Sequence, residues 1–335
     1  MKFGEVPIKS ALGAILAHSV GLPDGRLRKG RALGQEDIQR LMDAGLTTVT
    51  VAQLEPGDAH ENDAAAALAA AFVPDPEVQN LRLTEPFTGR VNLLASGPGI
   101  VMLDEDAITA VNAVHPMITI ATVPPFQQLA EGGMVATIKI ISYGVAKTDL
   151  ERACALAKAG VRLVPPSLRS ASLIVTDIDG GAGDKGWRVT ADRLAAFGIG
   201  LPEPVLVPHS VAPLADALAR SDSDLTLILT ASATSDAEDV APAAVRVAGG
   251  QVDRFGMPVD PGNLLFVGRL GDRAVIGLPG CARSPALNGA DWVMARLICG
   301  LPVGDTEISA MGVGGLLKEI LTRPHPRRTA RKDRA

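Results

Sequence analysis

An alternation between residues 171 and 298 constrains this chain most. Short apolar runs rich in Leu, Ile and Val, at 171–176 (ASLIVT), 204–207 and 224–230 (DLTLILT), take turns with helical patterns over 189–197, 210–220 and a stretch reaching 247. The connections between them are short. A strand that releases its chain into a helix and takes it back as the next strand runs parallel to its neighbour, and helices cover both faces of the sheet. The expected fold class is therefore α/β, with a three-layer parallel sheet spanning 167–302. Further strands are expected at 251–256, 264–269 and 274–278, with Gly249 and Gly250 ending the preceding helix and one long last helix over 284–299.

The first 166 residues lack that regularity. Residues 35–44 carry Ile38, Leu41 and Met42 on one helical face, 47–51 alternate like a strand, and 63–72 form an Ala-rich helix before the break at 73–76. Strands are then expected at 91–94, 100–103, 118–123 and 134–142, with helices at 104–114, capped by Asp104, and at 150–159. These patterns divide the chain into smaller mixed α+β units at 1–75 and 76–166, the sheet domain at 167–302, and a C-terminal extension at 303–335.

Composition excludes several functions. A chain of 335 residues with 47% hydrophobic side chains has the material for two or three cores, so wholesale disorder is ruled out. Aromatic residues make up 3%, too few for the stacking platforms of a single-strand nucleic-acid binder. A net charge of -5 argues against DNA or RNA, whose affinity rests on phosphate neutralisation. Cys154, Cys281 and Cys299 form no C-x-x-C pair, which disfavours a disulfide framework or structural zinc. With no secretory signal and no apolar run long enough to span a bilayer, a cytoplasmic protein without membrane contact is expected. The basic run Arg327, Arg328, Arg331, Lys332 and Arg334 reads as a solvated tail.

On a parallel sheet, ligands bind beyond the strand C-termini. Three loops are therefore the candidates. After Thr230 come Ala231, Ser232, Ala233, Thr234 and Ser235, whose hydroxyls and backbone N–H groups suit a phosphate. Asp239 follows on the first helical turn, where a carboxylate beside phosphate calls for a divalent cation such as Mg²⁺. The same residues also suit a plain helix start, with Ser235 or Asp236 as cap and Asp239 supporting the dipole. After Leu278 come Pro279, Gly280, Cys281, Arg283 and Ser284. Gly280 allows close backbone approach or positive φ, Ser284 can cap the helix, and Cys281 is either a thiolate nucleophile or an inert small residue. After Thr176, Asp177 and Asp179 precede a Gly-rich stretch that suits a metal or a solvated turn, and its spacing is not the dinucleotide fingerprint.

Taken together, these loops resemble the molybdopterin-binding domain of molybdenum-cofactor biosynthesis proteins. Residues 230–239 look like that family's T-G-G-x-[ST]-x-x-x-x-D loop, and 239–244 (DVAPAA) resemble the D-x-T-P-x-A continuation of the molybdopterin adenylyltransferase branch. Residues 277–280 (GLPG) look like the start of its L-P-G-N-P element, with Cys281 and Ala282 in place of Asn-Pro. Residues 260–263 (DPGN) resemble the K-P-G-K segment of the molybdotransferase branch, and Asp179 falls near the Glu of its T-G-D-E motif.

The resemblance implies a pterin ligand held by Thr176, Thr230, Ala231, Ser232, Thr234, Ser235, Pro279, Gly280, Cys281 and Ser284. It implies Mg²⁺ on Asp239 and Asp179, and Asp239 and Asp260 as catalytic carboxylates. The chemistry would be adenylylation with ATP or molybdate insertion at the terminal phosphate. It further implies a homodimer that passes its cofactor to a nucleotidyltransferase or a molybdoenzyme. The sequence departs from the pattern where Ala231 and Ser232 replace two glycines and Asp260 replaces a lysine. Those changes put chemistry in doubt more than binding, so a non-catalytic carrier of the cofactor is the alternative.

Overall fold

A computed structural model describes residues 1–178, 185–260 and 262–317. The chain divides into two compact units, Met1–Pro165 and Pro166–Ala335.

The first unit holds two cores. In one, Thr48–Gln53 pairs antiparallel with Lys2–Pro7 on one side and Ile15–Leu16 on the other. Helix Gln35–Asp43 closes over that sheet with Ile38 and Leu41 buried beside Leu16, Leu33 and Val51. Its N-terminus is held by Asp37, which bonds the Gly34 N–H and the Arg31 guanidinium from a buried position. Burial pushes this carboxyl up, yet Arg31, the Gly34 amide and Arg40 together hold it below the ordinary aspartate value.

In the second core, helix Glu61–Phe72 buries Ala64, Ala65, Leu68, Ala69 and Phe72 with the four-stranded antiparallel sheet. Alanines keep that face thin, so helix and sheet pack closely. The sheet runs in the order Ile118–Thr122, Met134–Ile140, Arg90–Ala95, Leu81–Leu83. Asp104 caps Glu105–Asn112 by accepting from the Ala107 N–H, as its position in the sequence implied.

The second unit is built on one six-stranded sheet. Its elements are β1 (Ala171–Asp177), α1 (Lys185–Ala195), β2 (Val205–Pro208), α2 (Val211–Arg220), β3 (Leu225–Leu229), α3 (Val240–Val247), β4 (Gln251–Met257), β5 (Asn263–Leu270), β6 (Arg273–Leu278) and α4 (Gly289–Ile298). The strand order is β2-β1-β3-β6-β5-β4. Strands β2, β1, β3 and β6 run parallel, β5 runs antiparallel to both β6 and β4, and β4 therefore shares the direction of the parallel four. The sheet is thus mixed rather than all-parallel. The cause is local: only Gly271 and Asp272 separate β5 from β6, with Gly271 at φ +61°, and a two-residue loop can join only antiparallel neighbours. Helices α2 and α3 pack Leu214, Leu218, Ala241 and Val245 against Ile174, Ile228, Phe266 and Val275.

The expected long helix at 284–299 is a second correction. Gly280–Arg283 make a 3-10 turn, Ser284 is extended at ψ 144°, and the helix begins only at Gly289 with Asn288 as its cap. Pro285 explains the break, because a residue before proline is forced out of the helical region.

The entrance to β1 is tied to that of β3. The Asp224 carboxylate accepts from the Arg169 and Ser170 N–H groups at 2.8 and 2.9 Å, and those bonds hold its pKa below the ordinary aspartate value. A carboxylate with a depressed folded pKa contributes stability above the unfolded value, about 3.9, and loses it as pH falls through the folded value. Asp224→Ala is expected to cost roughly 1 kcal/mol at neutral pH, allowing for the side chain's partial exposure, and less in acid. Urea melts of wild type and variant from pH 7 to 3 check this: the gap between them should narrow on acidification, and a constant gap refutes the assignment.

Candidate functional site

The register of the parallel strands sets where the three loops begin. Thr176 pairs with Val207, Val175 with Leu229, and Leu229 with Leu278. The chain therefore leaves β1, β3 and β6 at neighbouring points along one edge. From β1 it turns outward to β2, and from β3 it crosses toward the opposite side of the sheet. Between β1 and β3 the order reverses, which is the crevice position on open α/β sheets.

Thr176 stands at the back of this crevice, fully buried. Its hydroxyl accepts from the Ala231 N–H at 2.9 Å and shares a hydrogen bond with His209 Nδ1 at 2.8 Å. It links β1 to the β3 loop, and the Ala231 amide is already engaged. His209 lies one residue beyond β2, and the strand-end rule applied to β2 as well would have found it.

In the β3 loop, Thr230 Oγ1 donates to the Ser232 carbonyl at 2.6 Å and lies 3.4 Å from Thr234 Oγ1. Ala231, Ser232 and Ser235 are exposed, whereas Thr234 is buried. The Ser235 hydroxyl donates to the Ala233 carbonyl. Arg283 Nη2 crosses from the β6 loop to the Thr230 carbonyl at 2.8 Å and joins the two loops.

Asp239 is not on the first turn: it is the N-cap of α3. One carboxylate oxygen accepts from the Val240 N–H at 2.7 Å and the other from the Ser235 N–H at 2.9 Å. The positive end of α3 is thereby neutralised by the protein itself, which leaves less there for a phosphate. Among the described residues no group of three His, Cys, Asp or Glu side chains forms that could hold a metal. The loop's three carboxylates are engaged separately, Asp236 and Asp239 by backbone N–H groups and Glu238 by Arg246, so the described residues do not converge on a Mg²⁺ position. Asp179 lies outside the described residues.

In the β6 loop, Pro279 is buried, Gly280 exposed and Cys281 half-buried. Gly280 does not take a positive φ, and a Cβ there would meet nothing within 4 Å. Open space lies over this glycine rather than a crowded turn. Ser284 caps no helix; its hydroxyl accepts from the Ala286 N–H. The loop is held instead by Arg193 of α1, which pairs with Asp291 and donates to the carbonyls of Ala282 at 2.6 Å and Ser284 at 2.9 Å. No sequence motif marked Arg193, because its partners lie far along the chain.

Asp260 sits in the β4–β5 turn at φ +43°, and its N–H donates to the Gly315 carbonyl at 2.7 Å. Since β5 starts where antiparallel β6 ends, this turn lies at the same end of the sheet as the three loops. Asp260 is nonetheless anchored to the segment after α4, and β6 and β5 separate its turn from the β3 loop in strand order.

A family profile described as a domain of unknown function (DUF8806) matches residues 5–53. No curated protein matches the chain. Among solved structures, a molybdopterin biosynthesis MoeA protein from Pyrococcus horikoshii is 14% identical, over 89% of this chain and 75% of that one, with a TM-score of 0.31. A molybdopterin biosynthesis MoeA protein from Pyrococcus horikoshii OT3 is 11% identical, over 90% and 75% of the two chains, with a TM-score of 0.22. Superpositions at these scores do not establish a common fold. No helix among the described residues is long and apolar enough to cross a membrane.

Proposed function

We propose that the second unit is a molybdopterin-binding domain of three-layer type, and that the protein binds molybdopterin or its finished cofactor during biosynthesis. The observation supporting this is that the loops bearing the family resemblance leave adjacent strands, with Thr176, Thr230 and Pro279 at neighbouring strand ends. Exposed small residues and the open backbone at Gly280 leave room for a flat ring and its phosphate. Hydroxyls of Thr230, Ser232 and Ser235 supply polar contacts, and the scarcity of aromatics means hydrogen bonds outweigh stacking.

One feature favours the carrier over the transferase. Asp239, the carboxylate that adenylylation or molybdate insertion would need, has both oxygens turned to backbone N–H groups. In this reading the protein protects the cofactor and delivers it, as a homodimer, to a nucleotidyltransferase or molybdoenzyme.

Titration of the full chain with purified molybdopterin, followed by an adenylate assay with ATP and Mg²⁺, separates the readings. Saturable binding is expected without turnover. Asp239→Asn keeps one acceptor for the Val240 N–H but loses the one for the Ser235 N–H, so it is expected to bind as wild type and to lose about 1 kcal/mol of stability. Turnover that disappears in Asp239→Asn would establish the transferase instead. Failure to bind either pterin or adenylate sinks both.

A further inference from the structure

The first unit contains a cleft of about 490 Å³ that none of the sequence motifs touches. Its walls come from three separate segments and include Arg26, Arg28, Lys29, Arg31, His60 and Phe87. For a protein of net charge -5 this is a concentrated positive surface.

The surrounding carboxylates do not cancel it. Asp24, in the same hairpin as Arg26, pairs with Arg40 at 2.9 Å, and Asp37 engages Arg31 through one nitrogen. Glu61, the acid in the cleft wall, lies 3.6 Å from Lys139. Among the described residues no carboxylate pairs with Arg26, Arg28 or Lys29.

Phe87 is the second part of the site. It is 75% exposed, on a tight turn closed by two bonds between Phe87 and Arg90, each 3.1 Å. The central residues Thr88 and Gly89 sit at φ +49° and +69°. A β-branched residue in the left-handed region is strained, and such strain collects where a chain must present something. The turn is also clamped: the Gly89 N–H donates to Asn62 Oδ1 at 2.8 Å, and Lys139 bonds the Thr88 carbonyl. An exposed aromatic side chain on a clamped turn therefore borders a cationic cleft of small-ligand size.

We infer that this cleft binds the phosphate ester of a flat heteroaromatic ring, with Arg26, Arg28 and Lys29 on the phosphates and Phe87 under the ring. The cleft suits one such molecule rather than a nucleic-acid strand, which would need a row of aromatics. A nucleotide and a phosphorylated pterin share this chemistry, and separate titrations tell them apart.

The test uses the full chain at about 0.1 M salt, where screening still leaves short contacts intact. ADP, neopterin monophosphate, adenosine and pyrophosphate are titrated by calorimetry into wild type, Phe87→Ala and the Arg28→Ala/Lys29→Ala double variant. At least one phosphorylated ring compound is expected to bind, and more tightly than adenosine or pyrophosphate. Phe87→Ala should weaken it about tenfold and leave pyrophosphate unchanged, while the double variant should weaken both. All three substituted side chains are exposed, so melting temperatures should match wild type. The inference is overturned if neither ring compound binds, if either variant binds it as wild type does, or if Phe87→Ala weakens pyrophosphate equally.

Discussion

Arg193→Ala is expected to cost the second unit about 3 kcal/mol and to abolish the pterin binding proposed at the strand ends. The guanidinium side chain is 14% exposed and its partner Asp291 13%. Removing the arginine leaves a nearly buried carboxylate without its cation, and the carbonyls of Ala282 and Ser284 without a donor. Asp291 also caps α4 by accepting from the Asn288 N–H at 2.7 Å, so the loss reaches the helix that follows. The 280–288 segment, released from α1, should become cleavable by limited proteolysis. Both tryptophans, Trp187 and Trp292, belong to this unit, so urea melts followed by intrinsic fluorescence report on it directly. Arg193→Lys restores the charge without the planar fork and should fall between wild type and alanine. An alanine variant that melts within about 0.5 kcal/mol of wild type and resists protease would refute this role.

Gly277→Ala should destabilise the same unit by about 3 kcal/mol for a different reason. Gly277 lies opposite Phe266 on neighbouring strands, and a Cβ there would come within 1.9 Å of the Phe266 ring. That ring is fully buried against α2 and α3, so it cannot swing aside. Shortening the partner should relieve the clash: Gly277→Ala with Phe266→Leu is expected to be more stable than the sum of the single changes by more than about 1 kcal/mol. A double-mutant cycle measures this coupling, and additive effects would show that the ring does not set the requirement for glycine.

The two predictions mark where local reading succeeds and where it stops. Strands 171–176 and 224–230 were legible because apolar runs bounded by turn residues depend on near neighbours. Helix 35–44 was legible from its one-sided Ile38 and Leu41, and the start at Asp104 from its capping chemistry. The break at Pro285 is also written in the sequence, because a residue before proline is held out of the helical region and Ser284 cannot open the helix. The reversal of β5 lies in the tight Gly271-Asp272 turn, which makes β5 and β6 a hairpin.

The site divides the same way. The small and hydroxyl residues after Thr230 and the glycine after Pro279 stand out by composition, and the strand-end rule selects them. Asp239 stands at the N-cap rather than on the first turn because capping depends on where α3 begins, and helix boundaries shift with tertiary context. Arg193 and Asp291 are 98 positions apart, and the cationic cleft joins residues 26–31, 60–62 and 87–88. No periodicity connects such groups.

By itself, then, the sequence determined most strands and helices of the second unit, and which strand ends carry residues small enough to admit a ligand. Those properties follow from interactions over a few residues. Only the tertiary structure decided that β1, β3 and β6 are neighbours, that Asp239 closes its own helix, and that Arg193 holds the β6 loop. Strand order and long-range pairing are set by which faces bury each other, and that is a property of the packed chain.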